Sequence, residues 1–249
     1  MNCHFPQNDI ARAECTYLAN TDLQFIVPTD GSPLRGLIQD HVDAGVKLCC
    51  KDTFLEKWEF QQLIFAGLSS LSGLELIPSD VNMKLPPPAI QKPRELWTGK
   101  QLFSALLQHL RYGDNYKPDS PDIMPGISME RKAKTPGTAF GDSMMEHKIL
   151  IRDGELLRGV LDKAAFGASD FSLVHAVYEA YGPRKAGLLL DSLGRLCTGF
   201  IQFYSGHSCR MEDLILTTDT DKKRRKLVQV SFFLKTTRVM NTITQIAFI

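Results

Sequence analysis

The chain is 249 residues long, 43% hydrophobic and 23% charged. Those proportions supply a core and a solvated surface, and the length suits one large domain or two smaller ones. With 29 basic against 28 acidic residues the formal net charge is +1, which excludes a free-standing basic nucleic-acid module but leaves room for a local basic patch.

No stretch reaches the ~18 consecutive apolar residues of a membrane span. The opening MNCHFPQND has no basic region followed by an apolar run, so no signal peptide is read. The six cysteines form no C-x-x-C pair, and the vicinal Cys49–Cys50 is a poor disulfide because bridging neighbours strains the backbone. A reduced intracellular protein is expected.

Along the chain, Asn8 or Asp9 can cap a helix over residues 8–20, with Ile10, Ala13, Tyr17 and Leu18 on one face. Pro28 and Pro33 bracket an Asp30-Gly31 turn. Leu37, Ile38, His41, Val42 and Val46 have helical spacing, and Asp52 or Thr53 is expected to cap a helix with Phe54, Trp58, Leu63 and Ile64 as its apolar stripe. Residues 69–94 read as a proline-dense connector. Helix resumes at 96–110 with Thr98 as cap, and 112–146 lacks periodicity and reads as a long surface loop. Ile149 and Ile151 alternate with polar residues before Asp153-Gly154, a hairpin signal. Two helices follow, divided by Gly182-Pro183 and ending near Gly206. After KKRRK (222–226) the tail turns apolar and β-branched, and its helical period is expected to fail from about Val228. The class predicted is α+β: mixed helices with short antiparallel strands and hairpins, in an irregular architecture.

No complete active site emerges. There is no G-x-S-x-G elbow, no H-E-x-x-H pair and no P-loop. The six histidines are isolated, and His175 on an apolar helix face reads as a core residue. His207 and Cys209 lie close together, with Glu212 and Asp213 beyond, but lack the second Cys/His pair that zinc requires. The carboxylates Asp40, Asp43, Asp153 and Asp162 are dispersed, so no magnesium cluster is read. Trp97-Thr98-Gly99-Lys100 at a helix start offers either an anion cradle or simple capping with a solvated lysine. The KKRRK run is either a localisation or phosphate-contact patch or a solvated helix face.

Several segments carry a resemblance: M-N-C-H-F-P-Q with A-R-A-E in residues 1–14, V-P-T-D-G-S-P-L-R-G-L-I-Q-D-H (27–41), K-D-T-F (51–54) and P-A-I-Q-K-P-R-E-L-W-T-G-K-Q (88–101). Three more follow: I-R-D-G-E-L-L-R-G-V-L-D-K-A-A-F-G (151–167), L-V-H-A-V-Y-E-A-Y-G (173–182) and S-G-H-S-C-R-M-E-D-L-I-L (205–216). In order and spacing, from residue 1 to about 226, the chain resembles the largest subunit of eukaryotic nuclear RNA polymerase, polymerase I type.

The resemblance implies a nucleotidyltransferase making RNA, including ribosomal RNA, on a DNA template. Its partners would be the other polymerase subunits, DNA template, RNA and nucleoside triphosphates, with no membrane. The location would be the nucleus and nucleolus. In the family an Asp-Phe-Asp-Gly-Asp-Glu loop holding catalytic Mg2+ directly precedes Met-Asn-x-His, so the magnesium ligands are expected before Met1. No catalytic or metal-binding residue is then assigned to this chain, and the fragment alone is expected to be inactive. Residues 1–46 would end the active-site domain and 47–216 would form the pore domain, with a loop at about 112–146. Residues 217–249 would start the funnel domain, with 228–249 expected to be a non-native tail. Gln39, Asp40, Lys92, Lys100 and Gln101 become candidates for lining the nucleotide-entry pore. Where the family has a second Gly near residue 210 this chain has Arg210, which is expected to strain a backbone needing positive φ. The alternative reading is a non-catalytic, polymerase-like interaction module.

Overall fold

The computed structural model describes residues 2–69, 85–112, 123–140, 145–206 and 208–246. Two compact units are present, Met1–His207 and Ser208–Ile249. In the first, helix α1 (Asp9–Tyr17) is capped by Asn8, whose side chain accepts from Ala11 N. Its expected apolar face is not buried: Ile10, Tyr17 and Leu18 are all exposed. The Asp30-Gly31 turn forms as read, with Gly31 at φ +72° and the Asp30 carboxylate accepting from Ser32 N.

Helix α2 (Asp40–Cys49) begins three residues later than its apolar spacing suggested. Leu37 stays outside the helix because its N–H donates to Phe166 O at 2.7 Å. Gly36 is required there, since a Cβ would lie 2.4 Å from the Ala168 nitrogen. Strand β1 (Phe54–Leu55) occupies what read as the start of the next helix, so α3 (Lys57–Leu68) is capped at Glu56, not at Asp52 or Thr53. The predicted stripe is half wrong. Leu63 and Ile64 are buried with Phe60, whereas Phe54 and Trp58 are exposed.

Strand β2 (Trp97–Thr98) pairs antiparallel with β1, Leu55 opposite Trp97. Helix α4 (Gly99–Leu110) follows, with Thr98 and Gln101 forming a reciprocal capping box. Part of the expected long loop is structured: β3 (Met129–Lys132) forms the edge of a three-stranded antiparallel sheet with β4 (Lys148–Arg152) and β5 (Glu155–Arg158). The β4–β5 hairpin turns at Asp153-Gly154, both at positive φ, as its sequence signal requires. Helices α5 (Lys163–Phe166), α6 (Leu173–Tyr181) and α7 (Pro183–Phe203) complete the unit. Gly182, at φ +88°, ends α6 and caps α7.

The core lies where α7 packs on α2, α3 and α6, and α4 packs on the hairpin and α3. Phe60, Trp97, Phe103, Phe166, Leu102 and Ile149 are fully buried within it. Burial pushes the Cys197 thiol up to about 12 and raises the Cys49 thiol as well. All six cysteines are free.

In the second unit, Arg210 sits at φ −99°, in the ordinary extended region. The strain expected from losing glycine there is absent, because Arg210 serves as the cap of a short 3-10 turn and its N–H donates to Asp213 Oδ2. Helix α8 (Thr218–Ile246) runs straight through the point where periodicity was expected to fail. Lys, Arg, Leu and Gln around the junction are good helix formers, and the turn carries no Gly or Pro to stop it. The KKRRK segment is exposed on this helix, Arg224 and Arg225 both pairing with Asp221. His207 and residues 247–249 lie outside the described residues, as do 70–84 of the connector and 113–122 and 141–144 of the expected loop. Among the described residues no helix is long and apolar enough to cross a membrane.

Candidate functional site

Helix α4 organises the site. Trp97 is 1% exposed, and its Nε1–H donates to Pro86 O at 2.8 Å. Gln101 accepts from Thr98 N and donates to Pro87 O at 2.9 Å. The two side chains clamp the proline segment to the start of α4. Since the indole N–H has no other use in a dry core, Trp97→Phe is expected to cost about 1–2 kcal/mol. It should also remove the buried component of the fluorescence, leaving Trp58, which is 57% exposed. A denaturant melt followed by tryptophan emission checks both.

Lys100 is not the solvated lysine that simple capping predicts. Its ammonium lies 2.6 Å from Glu146 Oε2, and both groups are largely buried. Glu146 also accepts from Gly159 N at 3.2 Å and has Lys51 Nζ at 3.6 Å. A single carboxylate thus joins α4, the chain before β4, the turn after β5 and the residue following the α2 segment. Ser104 continues the connection: its hydroxyl donates to Lys100 O and accepts from Leu156 N. Further along α4, Gln108 donates to Asp153 O and accepts from Arg111, which also pairs with Asp153.

Between α4, the prolines and β5 lies a cleft of about 680 Å³. Lys100 and Gln101 line it together with Ser104, His109, Tyr112 and Leu156. Gln39, Asp40 and Lys92 do not line it. Gln39 and Asp40 are exposed at the start of α2, and Gln39 adopts φ +50°, ψ −119°, a conformation costly for a residue with a Cβ. Lys92 is exposed in the connector.

Sequence reasoning passed over Glu146 and His109. Glu146 falls in a stretch without periodicity, 46 residues from Lys100, and nothing local marks it. His109 is 5% exposed at the end of α4, edge-on to Tyr112 with ring centroids 5.5 Å apart. Burial, and then the charge of Lys185, lower its pKa to about 4. The unfolded chain therefore binds a proton between about pH 6.5 and 4 that the folded chain refuses, and stability falls as the pH drops through that window. Full expression of the shift corresponds to at most about 3 kcal/mol. Unfolding titrations at pH 7 and pH 4.5 should show a smaller acid loss in His109→Phe than in the unaltered chain.

Among the described residues no group of three or more His, Cys, Asp or Glu side chains could hold a metal ion. Those residues do not fit a magnesium site, and no catalytic step through the metal is assigned to them.

Residues 24–214 match the family model for RNA polymerase Rpb1, domain 3, and the chain is a member of that family. At the level of individual proteins, it is 48% identical over 233 residues to DNA-directed RNA polymerase I subunit rpa1 of Schizosaccharomyces pombe, covering 92% of this chain and 13% of that protein. It is 42% identical over 231 residues to the RNA polymerase I subunit RPA190 of Saccharomyces cerevisiae, covering 93% of this chain and 13% of that one. Against the RNA polymerase III subunit rpc1 of Dictyostelium discoideum identity drops to 29% over 235 residues, 93% of this chain and 15% of that protein. The type I character read from the motifs is thereby borne out. The chain spans about an eighth of the length of the polymerase I relatives it matches.

Proposed function

We propose that this chain is a section of the largest subunit of an RNA polymerase I and acts in DNA-templated synthesis of RNA, ribosomal RNA included, in the nucleus and its nucleolus. The observation that carries the reading is the match of residues 24–214 to Rpb1 domain 3, together with 48% identity to a polymerase I subunit. The chain contributes surroundings rather than reacting groups. Residues 47–216 form a wall of the passage by which nucleotides reach the catalytic centre. Gln39 and Asp40, from the preceding segment, and Lys92, all exposed on the first unit, are polar groups facing the same passage. Lys100 and Gln101 act on the same wall from within, through the Glu146 ion pair and the proline clamp. Magnesium in the whole enzyme would be held by ligands other than the described residues of this chain. DNA, RNA, nucleoside triphosphates and the other subunits are partners of the assembled enzyme.

Tagged chain purified from its own cells should bring down polymerase I subunits. The purified chain alone, given magnesium, template and ribonucleotides, should incorporate no nucleotide. Recovery free of polymerase subunits, or unaided RNA synthesis, would overturn the proposal.

A further inference from the structure

A second cavity, of about 410 Å³, lies where the end of α2, β1 and the residues after α7 come together, wholly within the first unit. Two aromatic rings, Phe54 and Tyr204, and two carboxylates, Asp52 and Glu59, line it. Asp52 is exposed and makes no hydrogen bond or ion pair among the described residues. Glu59 accepts from Glu56 N through Oε2 at 2.7 Å, and its Oε1 has no partner among the described residues. The one cation in the lining is Lys47, and its charge is already answered: Nζ lies 3.5 Å from Asp43 Oδ2 and donates to Gly206 O at 3.2 Å. The Thr53 hydroxyl and the Cys50 thiol donate to Lys47 O and Val46 O, while the Ser205 hydroxyl can donate or accept. The cavity therefore offers unmet acceptors and negative charge beside aromatic rings.

Those features select the ligand. A divalent metal ion wants more oxygens than two carboxylates supply, and among the described residues no group of three or more His, Cys, Asp or Glu side chains could hold one. Aromatic faces attract an organic cation, and a guanidinium stacks on a ring while its planar fork reaches a carboxylate. Burial, and then the charge of Glu59, raise the Tyr204 phenol, so its ring stays neutral and the carboxylate is felt there. Trp58 packs on Tyr204 with ring centroids 6.0 Å apart and is 57% exposed, and Phe203 is 72% exposed. Exposed aromatic side chains around a pocket fit a polypeptide interface, where Trp, Tyr, Phe and Arg concentrate. We propose that this cavity receives an arginine side chain of a partner polypeptide, its guanidinium paired with Asp52 and Glu59 and packed against the rings of Phe54 and Tyr204. The assignment does not depend on the polymerase reading, because every residue in it belongs to this cavity.

Three probes test it: N-acetyl-arginine methylamide, its lysine counterpart, and N-acetyl-citrulline methylamide, which keeps the shape of the arginine derivative without its charge. The full-length 249-residue chain, labelled with 3-fluorotyrosine, is titrated with each and followed by 19F NMR. The Tyr204 signal is assigned by its loss in Tyr204→Phe. The arginine derivative should move that signal saturably. The citrulline derivative should bind on the order of tenfold more weakly, having no charge for the carboxylates to meet. The lysine derivative should bind about threefold more weakly, because an ammonium is compact and strongly hydrated. Asp52→Asn should weaken arginine binding about threefold to fivefold, the yield of an exposed ion pair, and leave citrulline binding unchanged. Matching melts confirm that this surface variant is folded. Equal binding of the arginine and citrulline derivatives, lysine bound as tightly as arginine, an unmoved Tyr204 signal, or arginine binding untouched by Asp52→Asn would each overturn the proposal.

Discussion

Replacing Glu146 by alanine should lower the unfolding free energy of the first unit by about 3–5 kcal/mol, the range for removing one partner of a buried ion pair. The cost comes from the group left behind. Lys100 keeps its charge with only 16% of its side chain exposed, and the Gly159 N–H loses its acceptor. Lys51 offers no rescue, since a second ammonium cannot replace the lost carboxylate; it lies 3.6 Å from Glu146 on a side chain that is 48% exposed. A pair so wet contributes about 1 kcal/mol or less, and Lys51→Ala should therefore cost much less than Glu146→Ala. The double change Glu146→Leu with Lys100→Met should recover most of the loss, because apolar replacement of a whole buried pair removes the desolvation cost along with the attraction. Urea unfolding of the four chains decides the matter. A Glu146→Ala midpoint no lower than that of Lys51→Ala would mean that the carboxylate is not a structural hub.

The second large effect concerns Gly99. A Cβ there would lie 1.9 Å from the carbonyl oxygen of Leu48 and 2.7 Å from its carbon. These are backbone atoms of α2, which cannot rotate aside, so Gly99→Ala must push α4 away from α2 and open the layer that holds Leu48 and Leu102. A loss of about 4 kcal/mol or more is expected, at the upper end of single substitutions. Gly194→Ala is the control. It lies within α7, and its nearest neighbour would be His41 Cε1 at 3.9 Å. Alanine fits there and favours helix, so stability should rise by about 0.5–1 kcal/mol. Opposite signs for two glycine-to-alanine changes in helices isolate the close approach from propensity, and thermal melts suffice to read them.

These contrasts show which parts of the molecule were legible in advance. Thr98 as a cap, Asp153-Gly154 and Gly182-Pro183 were readable because a cap, a turn and a helix break are settled by atoms within about four residues of one another. The start of α2 was not, because the bond from Leu37 N to Phe166 O crosses well over a hundred positions. Strands β1 and β2 are two residues each, too short for an alternation to register. β3 hid in a polar stretch because an edge strand with residues in alternating partial burial needs few apolar side chains. Phe54 belongs to β1 and not to the helix, and Trp58 lies on α3 yet is exposed, since periodicity reports which residues share a face and not whether that face meets a neighbour.

For the candidate site the division is similar. Lys100 and Gln101 were named as pore-lining candidates on the resemblance; the structure places both at the start of α4, beside the cleft. Their engagement with Glu146 and with the prolines is a tertiary fact, as is the isolation of the His109 ring.

By itself, the amino-acid order determined the α+β class, the caps and turns, and, through long runs such as G-L-I-Q-D-H and L-W-T-G-K-Q, a family that the comparison with Rpb1 domain 3 confirms. Tertiary structure alone decided which charges meet, which apolar faces are covered and that the His109 Nε2 is buried without a hydrogen-bond partner among the described residues. Caps and turns depend on bond angles and hydrogen bonds within one or two turns of chain. Burial and ion pairing depend on distances between segments, which a linear order of residues does not contain.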